Sequence, residues 1–148
     1  MLMAELPIAV VMRRRAMTSR WSQPGWIPVA VCIDRADRAG MGAAGPIPRP
    51  DDDTRIIPGL ALQLYPDEND GYFENWVAPE PKVFILWRQE GDRLTLVAAS
   101  VSYGEGTRML DSGEQADGVV MPPDIHAWLG AYLRRHYEPP ARGRRVHG

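Results

Sequence analysis

The sequence contains one cysteine, Cys32, and one lysine, Lys82, among its 17 basic residues. A lone thiol excludes an intramolecular disulfide and any zinc or iron–sulfur site built on several thiolates, and it suits a reducing cytoplasm. Long hydrophobic runs are missing too: no apolar stretch approaches the ~20 residues that would span a bilayer. The opening MLMAELPIAVVMRRR places its arginines after its apolar patch, which Glu5 and Pro7 interrupt. That is the reverse of a secretory signal. Net charge is almost absent. A formal charge of -2 gives no ground for nucleic-acid binding, which asks for a basic domain or stripe. The charges that exist are patchy, with arginines at 13–15 and near the carboxyl end, and acids at 51–53 and 67–70.

What is present suits one folded domain. The 148 residues, 45% hydrophobic and 24% charged, have the balance of a globular chain. A chain of this length buries roughly 70% of its unfolded surface, so a single core is feasible. Residues 6–12 read as a first strand and 26–33 as a second, paired with it as a long hairpin. Pro28 marks the second strand as an edge or a bulge, because proline cannot donate to a ladder. Residues 34–55 are rich in Gly, Ala, Pro and Asp without either hydrophobic period, and read as a mobile loop.

Residues 59–65 alternate Leu60, Leu62 and Leu64 against Ala61, Gln63 and Tyr65, the period of a half-buried strand. KVFILWR (82–88) and RLTLVAASV (93–101) flank a short polar link containing Gly91, the clearest hairpin in the chain. Because 83–87 is apolar throughout, that strand should be covered on both faces and lie at the centre of the sheet. Ser102 and Glu105 fit a capping box for a short helix over 103–112, stopped by Gly113. A brief strand over 118–121 leads to Pro122, Pro123 and Asp124, suited to a helix's first turn. In that last helix Ile125, Trp128, Leu129, Tyr132, Leu133 and His136 form one apolar stripe, ended by Pro139 and Pro140. Residues 1–138 are thus expected to form one domain, with 139–148 a basic flexible tail.

The fold class expected is α+β: a bent antiparallel sheet or small barrel of about six strands, with a short helix and a carboxyl-terminal amphipathic helix packed across it. A pleckstrin-homology-like barrel shows the same order of elements, an analogy of fold alone.

Motifs that would carry chemistry fail one by one. His126 and His136 share a helix at a separation of ten, not the i, i+4 of a metal pair; one reads as exposed and the other as the end of the core stripe. Cys32 lies in an apolar strand without a base or a positive helix end, where a thiol behaves as a small hydrophobe. PDENDGYFENWV invites a calcium loop, yet with Gly71 at the turn the two end positions are Pro66 and Val77, where acids are required. Gly104-Glu105-Gly106 completes no phosphate-binding glycine motif, and no G-x-S-x-G surrounds Ser100 or Ser102. No metal, cofactor or catalytic residue is assigned.

What remains is aromatic and amphipathic. Trp87 and Trp128 follow core periodicity, whereas Trp21 and Trp76 lie in polar, turn-like sequence. Exposed Trp and Tyr can carry about 2 kcal/mol or more each of partner binding; equally, they can close the open ends of a barrel. The stretch DGYFENW leaves open whether Trp76 meets a partner or seals the core.

The ordered segments IAVVMRRR, WIPVAV, LALQLY, PKVFILWR, LTLVAAS, MLDSGE, VVMPP and IHAWLGAYLRRH together resemble a family of small proteobacterial proteins classed as a domain of unknown function. The resemblance covers most of the chain outside 34–55 and the tail. Members of that family are often encoded near formate dehydrogenase subunits, iron–sulfur proteins and maturation chaperones of molybdenum enzymes, which implies an accessory role in respiratory enzyme assembly. It supplies no catalytic residues. MLDSGE (109–114) reads either as a helix end capped at Gly113 or as an acidic contact through Asp111 and Glu114.

Two functions follow as expectations. The first is a non-catalytic, cytoplasmic accessory or protein-interaction module with a protein partner. The second is a small-molecule binder or enzyme with a cleft near 70–76 and 108–114. The candidate binding residues are Trp21, Tyr72, Asn75, Trp76, Arg108, Asp111 and Glu114. A third option is a weak contact of the basic tail with an anionic membrane surface, at roughly 1 kcal/mol per arginine.

Overall fold

The computed structural model describes residues 1–15, 25–35 and 53–138. Trp21, most of the expected loop at 34–55 and the tail at 139–148 lie outside the described residues. Within them the class is α+β, but the strands make two sheets rather than one. β1 (Ala4–Arg15), β2 (Gly25–Ile33) and β3 (Thr54–Leu64) form an antiparallel sheet in the order β2-β1-β3. β4 (Lys82–Glu90), β5 (Arg93–Ser100) and β6 (Gln115–Val120) form another in the order β5-β4-β6. The sheets approach at their edges, β3 beside β5 and β2 beside β6. No ladder joins them among the described residues, so the barrel is not closed.

Bending comes from three register shifts. Val11 faces Ala30 but Met12 faces Pro28, which leaves Val29 as the extra residue, and β2 is an edge strand besides. Proline here occupies both of the places open to it. On the other side of β1 the pairing skips Gly59, whose φ of 112° is reached without strain only by glycine. Val97 is the extra residue opposite Leu86 and Trp87. The β4–β5 hairpin turns through Gly91, at φ 61°.

Each sheet has its own centre, which corrects the single centre expected. β4 is buried from Val83 to Ile85, and β1 from Ile8 to Met12. Ile8, Val10 and Met12 of β1 join Leu62 and Leu64 of β3, Val83, Ile85 and Trp87 of β4, and residues of the last helix in one cluster. Each such side chain contributes about 1.5–3 kcal/mol when taken out of water. β3 begins at Thr54, so the expected loop ends earlier than residue 55.

Three helices pack on the sheets among the described residues, where two were expected. α1 (Asn69–Trp76) follows a 3-10 turn at Pro66–Glu68, α2 (Tyr103–Leu110) links β5 to β6, and α3 (Pro123–His136) closes the chain. α2 starts as its capping box predicts: Ser102 Oγ accepts from the Glu105 N–H at 3.2 Å. The reciprocal bond runs through a third residue. Ser100 Oγ accepts from the Ser102 N–H at 3.0 Å and donates to the Glu105 carboxylate at 2.6 Å. In α3 the stripe runs from Ile125 to Leu133 and stops there. His136 is exposed and His126 half-buried, the reverse of the expected pair.

α1 anchors to this frame through Tyr72. Its hydroxyl donates to the Gln63 carbonyl at 3.3 Å and accepts from the Tyr65 N–H at 2.9 Å, while its ring meets Tyr132 edge-on. Burial pushes the Tyr72 phenol well above the usual tyrosine range, and Tyr132 and Tyr137 shift the same way for the same leading reason. For a group whose folded pKa is raised, the stabilisation is whole below the unfolded value, about 10, and is lost as pH climbs through the folded one. Urea midpoints should therefore fall as pH rises from about 9 to 11. A flat profile would show that Tyr72 is not held neutral by the fold.

Candidate functional site

The expected binding residues do not converge. Tyr72 and Asn75 are fully buried, and every polar atom of Asn75 is spent on backbone: Nδ2 donates to the Lys82 and Val101 carbonyls, and Oδ1 accepts from the Lys82 N–H. Trp76 is half-buried and faces α3. Its indole N–H donates to the His126 carbonyl at 3.0 Å, and its ring stacks on the His126 imidazole at 4.8 Å and 4°. Gly130 makes room for it, since a Cβ there would come within 3.0 Å of the indole. Trp76 is thus part of the lid on the core.

Arg108 reaches across to Glu68 at 3.0 Å, and the other oxygen of that carboxylate accepts from Ser102 Oγ at 2.7 Å, tying α2 to the turn before α1. Glu114 lies 3.8 Å from Arg88, while Asp111 caps the end of α2 and is exposed. Gly113 follows at φ 83°, which fits the helix-end reading of MLDSGE. Of the expected set, Trp76 lines a cleft bounded by described residues. Its cleft, about 140 Å³, lies between α1 and α3 beside Phe73, Gly130, Leu133 and Tyr137.

A second cleft was not anticipated. It measures about 370 Å³ and lies on the face of the β5-β4-β6 sheet that carries α2. In β4 the odd residues Val83, Ile85 and Trp87 enter the main core, which turns Phe84 to the opposite face. There the ring is gripped: a Cβ on Gly106 would sit 2.5 Å from it and one on Gly118 3.3 Å. Tyr103 meets it edge-on at 6.1 Å. Phe84 and Gly118 line the cleft, with Tyr103, Thr107 and Leu110 from α2. Two of its lining residues are large apolar side chains in water, Tyr103 at 46% exposed and Leu110 at 50%. Val120, 61% exposed, does not line the cleft but stands opposite Lys82 in the β4–β6 ladder.

Lys82 and Asp117 also line the cleft. Lys82 is neutralised by Glu80 at 2.6 Å. Asp117 accepts only from the neighbouring Gly118 N–H, and neither it nor Asp111, which directly follows Leu110, has an ion-pair partner among the described residues. The Thr107 hydroxyl donates to the Tyr103 carbonyl. The cleft's lining is therefore mixed, with the Phe84 ring, Tyr103 and Leu110 beside Thr107, Lys82 and Asp117. The sequence held one signal for it: Tyr103, Gly106 and Leu110 recur at i, i+3 and i+7, a helix face with a small residue where it must sit close to the sheet.

A family model described as "Protein of unknown function (DUF3305)" matches residues 7–146. The chain belongs to the DUF3305 family. The match spans both sheets, the three helices described above and the residues that line the cleft. No curated protein and no solved structure matches the chain. No helix among the described residues of this DUF3305 domain is long and apolar enough to cross a membrane.

Proposed function

We propose that this DUF3305 protein is a non-catalytic accessory module that acts by binding another protein, and that its partner belongs to the biogenesis of formate dehydrogenase or another molybdenum respiratory enzyme. The observation that supports binding is the exposure of Tyr103 and Leu110 in the lining of the cleft above Phe84, with Val120 exposed opposite Lys82 in the adjoining ladder. Full burial of side chains of this size is worth about 1.5–3 kcal/mol each, and their exposed half or so is the part a partner would gain. The choice of partner rests on the gene neighbourhood of the family that the segments resemble. A cleft shared by the expected polar groups has less support, because Tyr72 and Asn75 are sealed in the core and Arg108 is engaged by Glu68.

Affinity capture of the full chain from native cells, with mass spectrometry, tests this. The expected result is a stoichiometric protein partner, a formate dehydrogenase subunit or maturation factor, that is lost when Val120→Glu replaces the wild type. Repeated recovery of the chain alone would overturn the reading.

A further inference from the structure

We infer that one end of the β2-β1-β3 sheet is a phosphate site, in which Arg14 and Arg55 hold a phosphate group between their guanidiniums beside the indole of Trp26. It lies on the other sheet from the cleft above Phe84 and does not rest on the interaction reading. The ladders bring the three side chains together. β1 alternates, so Arg14 falls on the same face as Ile8, Val10 and Met12 of the core. Trp26 pairs with Arg14 across β2, and Arg55 pairs with Met12 across β3, so all three share that face. There the guanidinium carbons of Arg14 and Arg55 stand 5.1 and 4.3 Å from the centre of the one indole ring. They are no farther from each other than those two distances combined. Each cation is attracted to the ring and repelled by its fellow, and an anion between them offsets the repulsion.

Donors here outnumber acceptors. The Arg14 Nε–H and the Trp26 indole N–H are buried without a hydrogen-bond acceptor among the described residues, and Trp26 as a whole is 1% exposed. The described acceptors at this end are committed or loose. Gln89 Oε1 takes the Trp26 backbone N–H at 3.0 Å, and the Asp92 carbonyl takes Arg55 Nη1 at 2.6 Å. The Asp53 carboxylate stands 3.9 Å from Arg14, with 70% of its side chain in water. Orphaned buried donors select an acceptor, and two guanidiniums select a negative one. A carboxylate, with two coplanar oxygens, matches a single guanidinium fork. A phosphate presents oxygens in tetrahedral directions and can accept from both arginines and the indole together. The Arg14 side chain is 35% exposed, which opens a way in from water.

Titration of the isotope-labelled full chain with inorganic phosphate, followed by NMR at the tryptophan indole N–H peaks, tests this; Trp26→Phe identifies the peak. The Trp26 peak should move saturably with phosphate and stay in place with sodium acetate or sodium chloride at equal ionic strength. Arg14→Gln and Arg55→Gln should each weaken phosphate about tenfold. Because either change also strips packing from Trp26, Asp53→Asn supplies a variant of opposite sign. It removes the carboxylate nearest Arg14 at an exposed position and should tighten phosphate several-fold. A second arm separates the sources of the group. Co-sedimentation with phosphatidylcholine vesicles containing phosphatidic acid, lost in Arg55→Gln, would assign the phosphate to a lipid headgroup. Phosphate binding without co-sedimentation would assign it to a soluble phosphate compound. An unmoved Trp26 peak, equal affinity for acetate, or an affinity untouched by all three substitutions would overturn the site, and none of these results bears on the cleft.

Discussion

Replacing Asn75 with alanine should lower the unfolding free energy by about 3 kcal/mol, with a thermal midpoint about 6–12 °C below the wild type. Asn75 is fully buried and sits where α1 meets the end of the β4–β5 ladder, just beyond its last pair, Phe84 with Ser100. Its amide substitutes for the missing strand neighbour. Nδ2 reaches the Lys82 carbonyl at 2.8 Å and the Val101 carbonyl at 2.9 Å, and Oδ1 takes the Lys82 N–H at 3.0 Å. Alanine would leave three buried backbone groups short of a partner, at about 1 kcal/mol each. Asn75→Asp should be at least as damaging, since it keeps the acceptor but turns the donor into an oxygen facing two carbonyls. Urea denaturation with an unchanged m-value is the measurement, and a loss below about 1 kcal/mol would show that these groups find other partners.

Asn75 also shows where the sequence was hard to read. The strands were legible because their signal is local: Leu60, Leu62 and Leu64 alternate, and Val83–Trp87 is apolar at every position. α2 and α3 were legible from Ser102, Glu105, Gly113 and Pro123, whose roles depend only on their neighbours in the chain. α1 was not. Its buried face consists of Asn69, Tyr72 and Asn75, and no side chain caps its start. Two asparagines buried for their hydrogen bonds carry no hydrophobic period, so a helical face looks like polar turn material. The division into two sheets was hidden for a related reason: a strand pattern specifies which residues face a core, not which edges pair. The cleft lay beyond reach because Phe84 sits in an apolar run whose alternate members face opposite ways.

The glycines of α2 offer the second large effect, in which two substitutions of the same type, two residues apart, should have opposite signs. On helix propensity alone, glycine to alanine gains up to about 1 kcal/mol. At Gly104 the added Cβ would meet only ordinary contacts, the nearest being Arg108 Nη1 at 3.6 Å, so Gly104→Ala should stabilise by about 0.5 kcal/mol. At Gly106 the same atom would lie 2.5 Å from Phe84 Cγ and Cδ2. Those atoms belong to the root of the ring, not to a flexible end, and even a Cβ built on Gly118 would stand 3.3 Å from its other flank. Overpacking of this kind costs about 1–3 kcal/mol, which outweighs the propensity gain, so Gly106→Ala should destabilise by about 2 kcal/mol. Phe84→Leu in the same chain should recover part of that loss, with a coupling of about 1 kcal/mol or more in the double-mutant cycle. Equal signs for the two alanines would mean that α2 does not sit on Phe84, and the cleft would lose its floor.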